Sequence, residues 1–164
     1  MLAITIINKT IIKNEVGVFP LLINMSLVKG FLLRIQKYLE RGVIHCRQSF
    51  NLKETVSHLL EGIFEMMNFS EAHYVSMVVY FERLIQRHSG LINENNMIRL
   101  IFISGVMALK MFDDFSYKNS YFAQISGVSV QELNFLELKF LEWIEYKLVI
   151  NEEEYQRYHF TLAN

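Results

Sequence analysis

The chain has 164 residues, a formal net charge of −1 at pH 7 and an apolar content of 52%. This length suits one domain with a sizeable core, and the low content of proline (one) and glycine (seven) favours long helices over a turn-rich β fold. The 16 basic and 17 acidic residues nearly cancel, which argues against the positive surface that nucleic-acid binding requires. Cys46 is the single cysteine, so no internal disulfide can form, and this fits a reducing compartment.

Residues 1–25 form an apolar N-terminal segment that polar residues such as Asn8, Lys9 and Glu15 interrupt. The segment lacks the basic start of a signal peptide and the unbroken run of a membrane span. Only residues 4–12 show an alternation that could suit a strand. We therefore expect an intracellular soluble protein, nuclear or cytoplasmic, that has no membrane partner.

Apolar periodicity and capping residues predict the first three helices. The first covers about residues 26–41. The second runs from Asn51 to Met67, and Asn51 and Glu54 have the spacing of a capping box, in which each side chain bonds to the other residue's backbone N–H. Ser70 caps the third helix.

The fourth helix begins after Asn93, runs to about Phe112 and is apolar around its whole circumference. Such a helix belongs at the centre of a bundle, so the presence of a charged residue, Lys110, near its end requires an explanation. A short fifth helix around residues 120–125 ends at Gly127.

Two further start signals follow. Ser129 with Glu132 forms a second capping box for the sixth helix, and Asn151 with Glu154 opens a last helix within residues 151–164. We expect an all-α bundle around the fourth helix, with residues 26–150 as its main unit.

Several polar residues could suggest a metal site. Asp113 and Asp114 follow the fourth helix where the helix dipole disfavours acids, so a hydrated loop or a partner contact is a better explanation than helix stability. No third carboxylate or histidine lies at ligand spacing, and His45 beside Cys46 has no second Cys–His cluster. The other histidines, at 58, 73, 88 and 159, share no spacing, so we expect neither a metal nor a cofactor.

One run of positions in the second half of the chain has an order and spacing that chance rarely produces. It comprises Lys110, Asp113, Asp114, Tyr117, Asn119, Ala123, Gly127, Ser129, Glu132, Leu133, Asn134, Leu136, Glu137, Phe140 and Leu141. This run resembles the cyclin box, most closely that of the P/U-type cyclins, the group related to the yeast phosphate-regulation cyclin. The resemblance extends over about residues 19–158 and is strongest from Ser70 onward. It implies a single cyclin box: five helices around a central apolar one, here with an extra N-terminal helix and a short C-terminal helix.

The chain departs from other cyclins in three places. The M-R-A-I-L sequence that forms the substrate-docking groove of mitotic and S-phase cyclins is absent, and residues 51–60 read NLKETVSHLL instead. Met111 stands where the family has phenylalanine, with Phe112 one place later, and Ser126–Gly127 replaces a Gly-Gly pair. The absence of M-R-A-I-L puts substrate docking of that kind in doubt and favours the P/U-type group, while the other two substitutions are tolerable.

The resemblance also implies a site. In cyclins, a lysine at the end of the central helix and a glutamate of the fifth box helix pair with each other and bind kinase backbone beside its mobile C-helix. Lys110 and Glu137 match these positions. The set of residues expected to contact a kinase is Lys110, Glu137, Met111, Phe112, Asp113, Asp114 and Tyr121.

The implied function is that of a regulatory cyclin, not an enzyme, which forms a heterodimer with a cyclin-dependent kinase and activates it by positioning the kinase C-helix. No small-molecule substrate or cofactor is expected. Three alternatives stay open: a cyclin-fold transcription-factor-like or scaffold protein without kinase activation, a helical-bundle enzyme that uses histidine or the aspartate pair, and an ion pair at Lys110 and Glu137 that only joins two helices.

Overall fold

The structure is a computed structural model that describes residues 25–46, 51–63, 66–114 and 117–164. These residues form an all-α fold, as predicted, and contain no strand beyond a single bridge between His45 and Asn93. The predicted strand pattern at residues 4–12 lies outside the described residues. The helices are α1 (Met25–Glu40), α2 (Leu52–His58), α3 (Glu71–His88), α4 (Met97–Phe112), α5 (Asn119–Ser126), α6 (Val130–Trp143) and α7 (Glu152–Ala163).

The centre of the bundle is α4, which packs against α3 and α6. Its apolar residues are buried from Met97 to Leu109, and Ile101, Ile103 and Val106 are fully enclosed. A helix that is apolar on every side can bury all its faces only when neighbours surround it, so the predicted central position is confirmed. The helices α2 to α6 form the expected five-helix unit, while α1 and α7 pack against each other outside it.

The predicted helix starts are confirmed, but both expected capping boxes are only half formed. Ser129 Oγ accepts the backbone N–H of Glu132 at 3.0 Å, while the Glu132 carboxylate forms an ion pair with Arg99 at 3.1 Å. At α2, Asn51 Oδ1 accepts the Glu54 N–H at 3.2 Å, and its amide donates to the Glu54 carboxylate at 2.6 Å. These glutamate side chains are therefore used for contacts other than closing the box.

At the start of α7, too, the glutamate side chain does not close the cap but pairs with another helix. Asn151 Oδ1 accepts the Glu154 N–H at 2.8 Å, and the Glu154 carboxylate pairs with Arg83 of α3 at 2.7 Å. The cap therefore also ties α7 to α3.

The predicted second helix, which opens at Asn51 and has an apolar stripe to Met67, contains a π-helical turn that was not predicted. The α-helix ends at His58, and a π-helical turn, Leu59–Ile63, follows it. Inside this turn the Leu60 carbonyl accepts the Tyr74 hydroxyl of α3 at 3.0 Å, while the Leu60 side chain is fully buried. The wider turn thus lets one residue fill the core and bond to α3, a tertiary contact that periodicity does not reveal.

Candidate partner-binding site

Lys110 lies in the last turn of α4, and its ammonium Nζ contacts both carboxylate oxygens of Glu137 on α6, at 2.7 Å to Oε1 and 2.8 Å to Oε2. The pairing that the family resemblance implies is therefore present. The side chains are 20% and 18% exposed, so the pair is neither fully solvated nor sealed in the core. Such charge-assisted bonds are about twice as strong as neutral ones, and the cation also suits the C-terminal end of a helix.

Asn119 and Asn134 complete the arrangement around the Glu137 carboxylate. The Asn119 amide nitrogen lies 2.5 Å from Glu137 Oε2 and 2.7 Å from Asn134 Oδ1. Both asparagines belong to the family pattern in the sequence, but no role follows from their type alone. Their positions in that pattern, around the paired Glu137, are the signal that could have pointed to them.

Asp113 ends α4 and is paired within the chain. Its backbone is extended (φ −89°, ψ 130°), so α4 stops at the residue before it, and its carboxylate lies 3.0 Å from Nε2 of the buried His73. An aspartate just beyond this helix therefore has its own cation-capable partner, which explains how it is tolerated there. Asp114 is exposed.

His73 is not the isolated helix residue that its spacing suggests. Its Nδ1 accepts the backbone N–H of Ser70 at 3.0 Å, while Ser70 Oγ accepts the His73 N–H, so the two residues form a capping box at the start of α3. The neutral ring therefore carries its proton on Nε2 and donates it to Asp113. Burial lowers the pKa of His73, and the Asp113 carboxylate opposes this shift in part.

Two of the three predicted apolar contact residues are exposed, and they follow Lys110 directly in the chain. Met111 and Phe112, which directly follow Lys110, are each 46% exposed. Tyr121 on α5 stacks on Tyr117 with ring centroids 4.3 Å apart, and burial raises the pKa of its hydroxyl. The three residues thus offer apolar and aromatic surface.

Two further exposed apolar residues were not predicted as contacts. Phe135 and Leu138 on α6 are 62% and 59% exposed and flank Glu137 in the chain. The buried face of α6 is already filled by Leu133 and Phe140. The signal in the sequence is the apolar content of LNFLELKFL, which is larger than one buried helix face requires.

The described residues contain no group of three or more histidine, cysteine, aspartate or glutamate side chains that could hold a metal ion. Cys46 is half-buried, and this burial raises the pKa of its thiol, with a smaller contribution from Glu94. Across the same part of the chain, no helix combines the length and apolar character needed to span a membrane.

The five-helix unit with α4 at its centre, in which a lysine–glutamate pair joins the central helix to the last helix, defines the cyclin-box class of fold. A family model described as Cyclin matches residues 26–148, which is most of the chain, and the chain therefore belongs to the cyclin family.

The relatives place the chain near the P/U-type group, as the sequence pattern predicts. It is 37% identical over 105 residues to Cyclin-U4-1 of Arabidopsis thaliana, which covers 63% of this chain and 52% of that protein. It is 34% identical over 105 residues to Cyclin-P4-1 of Oryza sativa subsp. japonica, covering 63% of this chain and 50% of that protein. It is 35% identical over 97 residues to PHO85 cyclin-7 of Saccharomyces cerevisiae, covering 52% of this chain and 34% of that protein.

The chain thus spans about half the length of these plant relatives and about a third of the yeast one. No solved structure matches the chain significantly.

Proposed function

We propose that this chain is a regulatory cyclin subunit that binds a cyclin-dependent protein kinase as a heterodimer and activates it by positioning the kinase C-helix. The observation that carries the proposal is the half-buried Lys110–Glu137 pair, whose two helices also carry exposed apolar side chains close to the pair in the chain. An ion pair that served only to join two helices would not require exposed apolar side chains on both of them.

The pair has bonding capacity left for a partner. An ammonium group carries three N–H donors, and a carboxylate offers about four acceptor positions. The contacts of Lys110 Nζ with Glu137 occupy two donors, and Glu137 accepts three contacts in all. Backbone carbonyl and amide groups of a partner fit the remaining positions, and full satisfaction offsets the cost of removing the pair from water.

The exposed apolar residues would supply most of the contact area. Met111 and Phe112 lie on one side of the pair in the chain, and Phe135 and Leu138 lie on the other helix beside Glu137. Aromatic residues and methionine are enriched at the centres of protein interfaces, where a few of them carry most of the binding energy. Asp113, Asp114 and Tyr121 would extend this surface toward α5.

Activation would work by a shift of population. A kinase without its cyclin rests with the C-helix glutamate away from the catalytic lysine, and docking would favour the arrangement in which they pair. A shift from 1:99 to 99:1 requires about 5.5 kcal/mol of differential binding. An interface able to supply this buries roughly 1,200–2,000 Å² in total, which is why the apolar surface matters alongside the pair.

One relative bears the name PHO85 cyclin-7, and a cyclin that is named for a kinase supports a partner of the same class for this chain.

The experiment is affinity capture from native cell extract, read by mass spectrometry, with the wild type beside the Lys110→Ala/Glu137→Ala variant. The matched control is Arg99→Ala/Glu132→Ala, because this exposed ion pair joins the same two helices, α4 and α6, through the first turn of each. Circular dichroism establishes that all three proteins are folded.

We expect the wild type and the control variant to capture a cyclin-dependent kinase and the Lys110/Glu137 variant to lose it. If a folded Lys110/Glu137 variant captures as much kinase as the wild type, the assignment of this pair as the binding site is wrong. If the wild type captures no such kinase, the proposed function is wrong.

A further inference from the structure

The Asn119 side chain contacts the ion pair from a third helix, α5. Its Nδ2 lies 2.5 Å from Glu137 Oε2 and 2.7 Å from Asn134 Oδ1. A primary amide nitrogen carries two N–H groups, so it can donate one to each acceptor. Asn134 and Glu137 are three residues apart on α6 and lie on neighbouring turns of one face. The Asn119 side chain therefore links α5 to two successive turns of α6.

The orientation of the Asn119 amide follows from these acceptors. If the Asn119 amide alone were turned over, its Oδ1 would face the acceptors Asn134 Oδ1 and Glu137 Oε2 with no N–H group between them. In the observed orientation Oδ1 is buried, and no described residue donates to it. An unpaired buried acceptor is unfavourable, so this arrangement needs an explanation other than the stability of α5.

The explanation lies in the two oxygens of Glu137. Oε1 accepts from Lys110 alone at 2.7 Å, whereas Oε2 accepts from Lys110 at 2.8 Å and from Asn119 at 2.5 Å. Lysine is a point charge on a flexible stem and does not by itself fix the plane of a carboxylate. The Asn119 amide on α5 donates a hydrogen bond to Glu137 from a second direction, and this bond fixes the plane of the carboxylate.

We propose that Asn119, supported by Asn134, is a positioning residue for the partner-binding pair: it holds the Glu137 carboxylate in the single orientation that lets Lys110 and Glu137 meet kinase backbone together. This inference rests on the proposed function, because positioning matters for binding only if the pair contacts a kinase.

The first test is the affinity of Asn119→Ala for the cyclin-dependent kinase that the wild type captures, measured by titration calorimetry with purified proteins. The control is Gln124→Ala, since Gln124 is an exposed amide residue on the same helix. We expect at least tenfold weaker binding for Asn119→Ala and less than a twofold change for Gln124→Ala. Unchanged affinity in Asn119→Ala would overturn the inference while the proposed function stands.

A second measurement separates positioning from a general loosening of the bundle. In a Glu137→Ala background Asn119 has no carboxylate to hold, so we expect the further substitution Asn119→Ala to weaken binding by less than twofold. A full tenfold loss in that background would show that Asn119 acts independently of Glu137 and would overturn the inference.

The third readout does not depend on a kinase. A crystal structure of free Asn119→Ala should show the Glu137 side chain displaced from its wild-type position or in more than one conformer. A Glu137 side chain that keeps its single wild-type position would overturn the inference whatever the kinase result. If the wild type binds no kinase, the proposed function fails, and this structure still decides whether Asn119 positions Glu137.

Discussion

Gly30 of α1 packs directly against the backbone of Leu162 in α7, and a Cβ atom on residue 30 would overlap the Leu162 carbonyl oxygen. The glycine is needed for space, because it lies within a regular helix. This contact sets how closely the two helices outside the five-helix unit approach each other.

We expect Gly30→Ala to lower the free energy of unfolding by about 1–3 kcal/mol, the usual cost of overpacking, even though alanine itself favours a helix over glycine by up to about 1 kcal/mol. The backbone of α7 must move to make room. Urea unfolding followed by circular dichroism measures the change. Gly90→Ala is the control, since a Cβ there meets nothing within 4 Å; equal stability of the two variants would contradict the account.

A buried carboxylate joins α1, α3 and α7. Arg34 Nη1 of α1 lies 2.6 Å from Glu82 Oε1 of α3, and the Tyr158 hydroxyl of α7 donates to Glu82 Oε2 at 2.9 Å. The Tyr38 hydroxyl also faces this group, and burial together with the Glu82 carboxylate raises the pKa of Tyr38 to about 12. The negative charge of Glu82 is therefore tolerated in the core because hydrogen-bond donors surround the carboxylate.

We expect Arg34→Met to lower the free energy of unfolding by roughly 3 kcal/mol at pH 7, because it leaves the Glu82 carboxylate buried without a cation. The double variant Arg34→Met/Glu82→Leu should recover much of that loss, since apolar replacement of a buried pair is often close to neutral. Denaturant titrations of the three proteins test this. A double variant that is less stable than Arg34→Met would contradict it.

The pH dependence of stability should reflect His73. Its folded-state pKa lies below the value of about 6.5 that an unfolded histidine has, so the unfolded chain takes up the proton first as the pH falls. The contribution of His73 is therefore fully present above about pH 6.5 and is lost as the pH drops from there through the folded-state pKa. Protonation would also occupy Nδ1, which now accepts the Ser70 N–H.

His73→Asn tests this, because asparagine can still accept at the cap and does not titrate. We expect its free energy of unfolding to decline less between pH 7 and pH 5 than that of the wild type. The same substitution at the exposed His45 controls for the loss of an imidazole. An identical decline in His73→Asn and the wild type would show that this histidine does not govern acid stability.

The exposed apolar residues of α6 should matter for binding but not for folding. Phe135→Ala/Leu138→Ala is expected to weaken kinase binding at least tenfold, since central apolar contacts each contribute more than about 1 kcal/mol. Its free energy of unfolding should change by less than about 1 kcal/mol because both side chains are exposed. Val149→Ala, at an exposed residue between α6 and α7, is the control in the same calorimetric titration. Kinase binding as tight as in the wild type would place these residues outside the interface.

Much of the fold could be predicted from local sequence signals. The apolar circumference of the fourth helix, the N-caps Ser70, Ser129 and Asn151, and the helix end at Gly127 each act within a few residues, and each appears in the structure where predicted. The Lys110–Glu137 pairing came from the family pattern and not from spacing, because nothing local relates residues that are 27 positions apart.

The rest depends on contacts between distant helices. His73 contacts Asp113 because the bundle brings their helices together. For the same reason, the Glu132 carboxylate pairs with Arg99 and does not close the capping box with Ser129. The π turn after α2 likewise follows from its contact with α3. The exposure of Phe135 and Leu138 could not be read from periodicity, since an apolar residue at the edge of a buried face looks the same in sequence as one beneath a neighbour.

A kinase assay tests whether this chain activates the kinase that it captures. Purified cyclin-dependent kinase, obtained by capture with the wild-type chain and then separated from it, is mixed with increasing amounts of wild type, Lys110→Ala/Glu137→Ala or Arg99→Ala/Glu132→Ala, and phosphate transfer to a peptide is measured. We predict saturable activation by the wild type and by the Arg99/Glu132 variant, and activation by the Lys110/Glu137 variant only at far higher concentration, if at all. A wild-type chain that binds the kinase and leaves its activity unchanged, or a Lys110/Glu137 variant that activates as well as the wild type, would contradict the account.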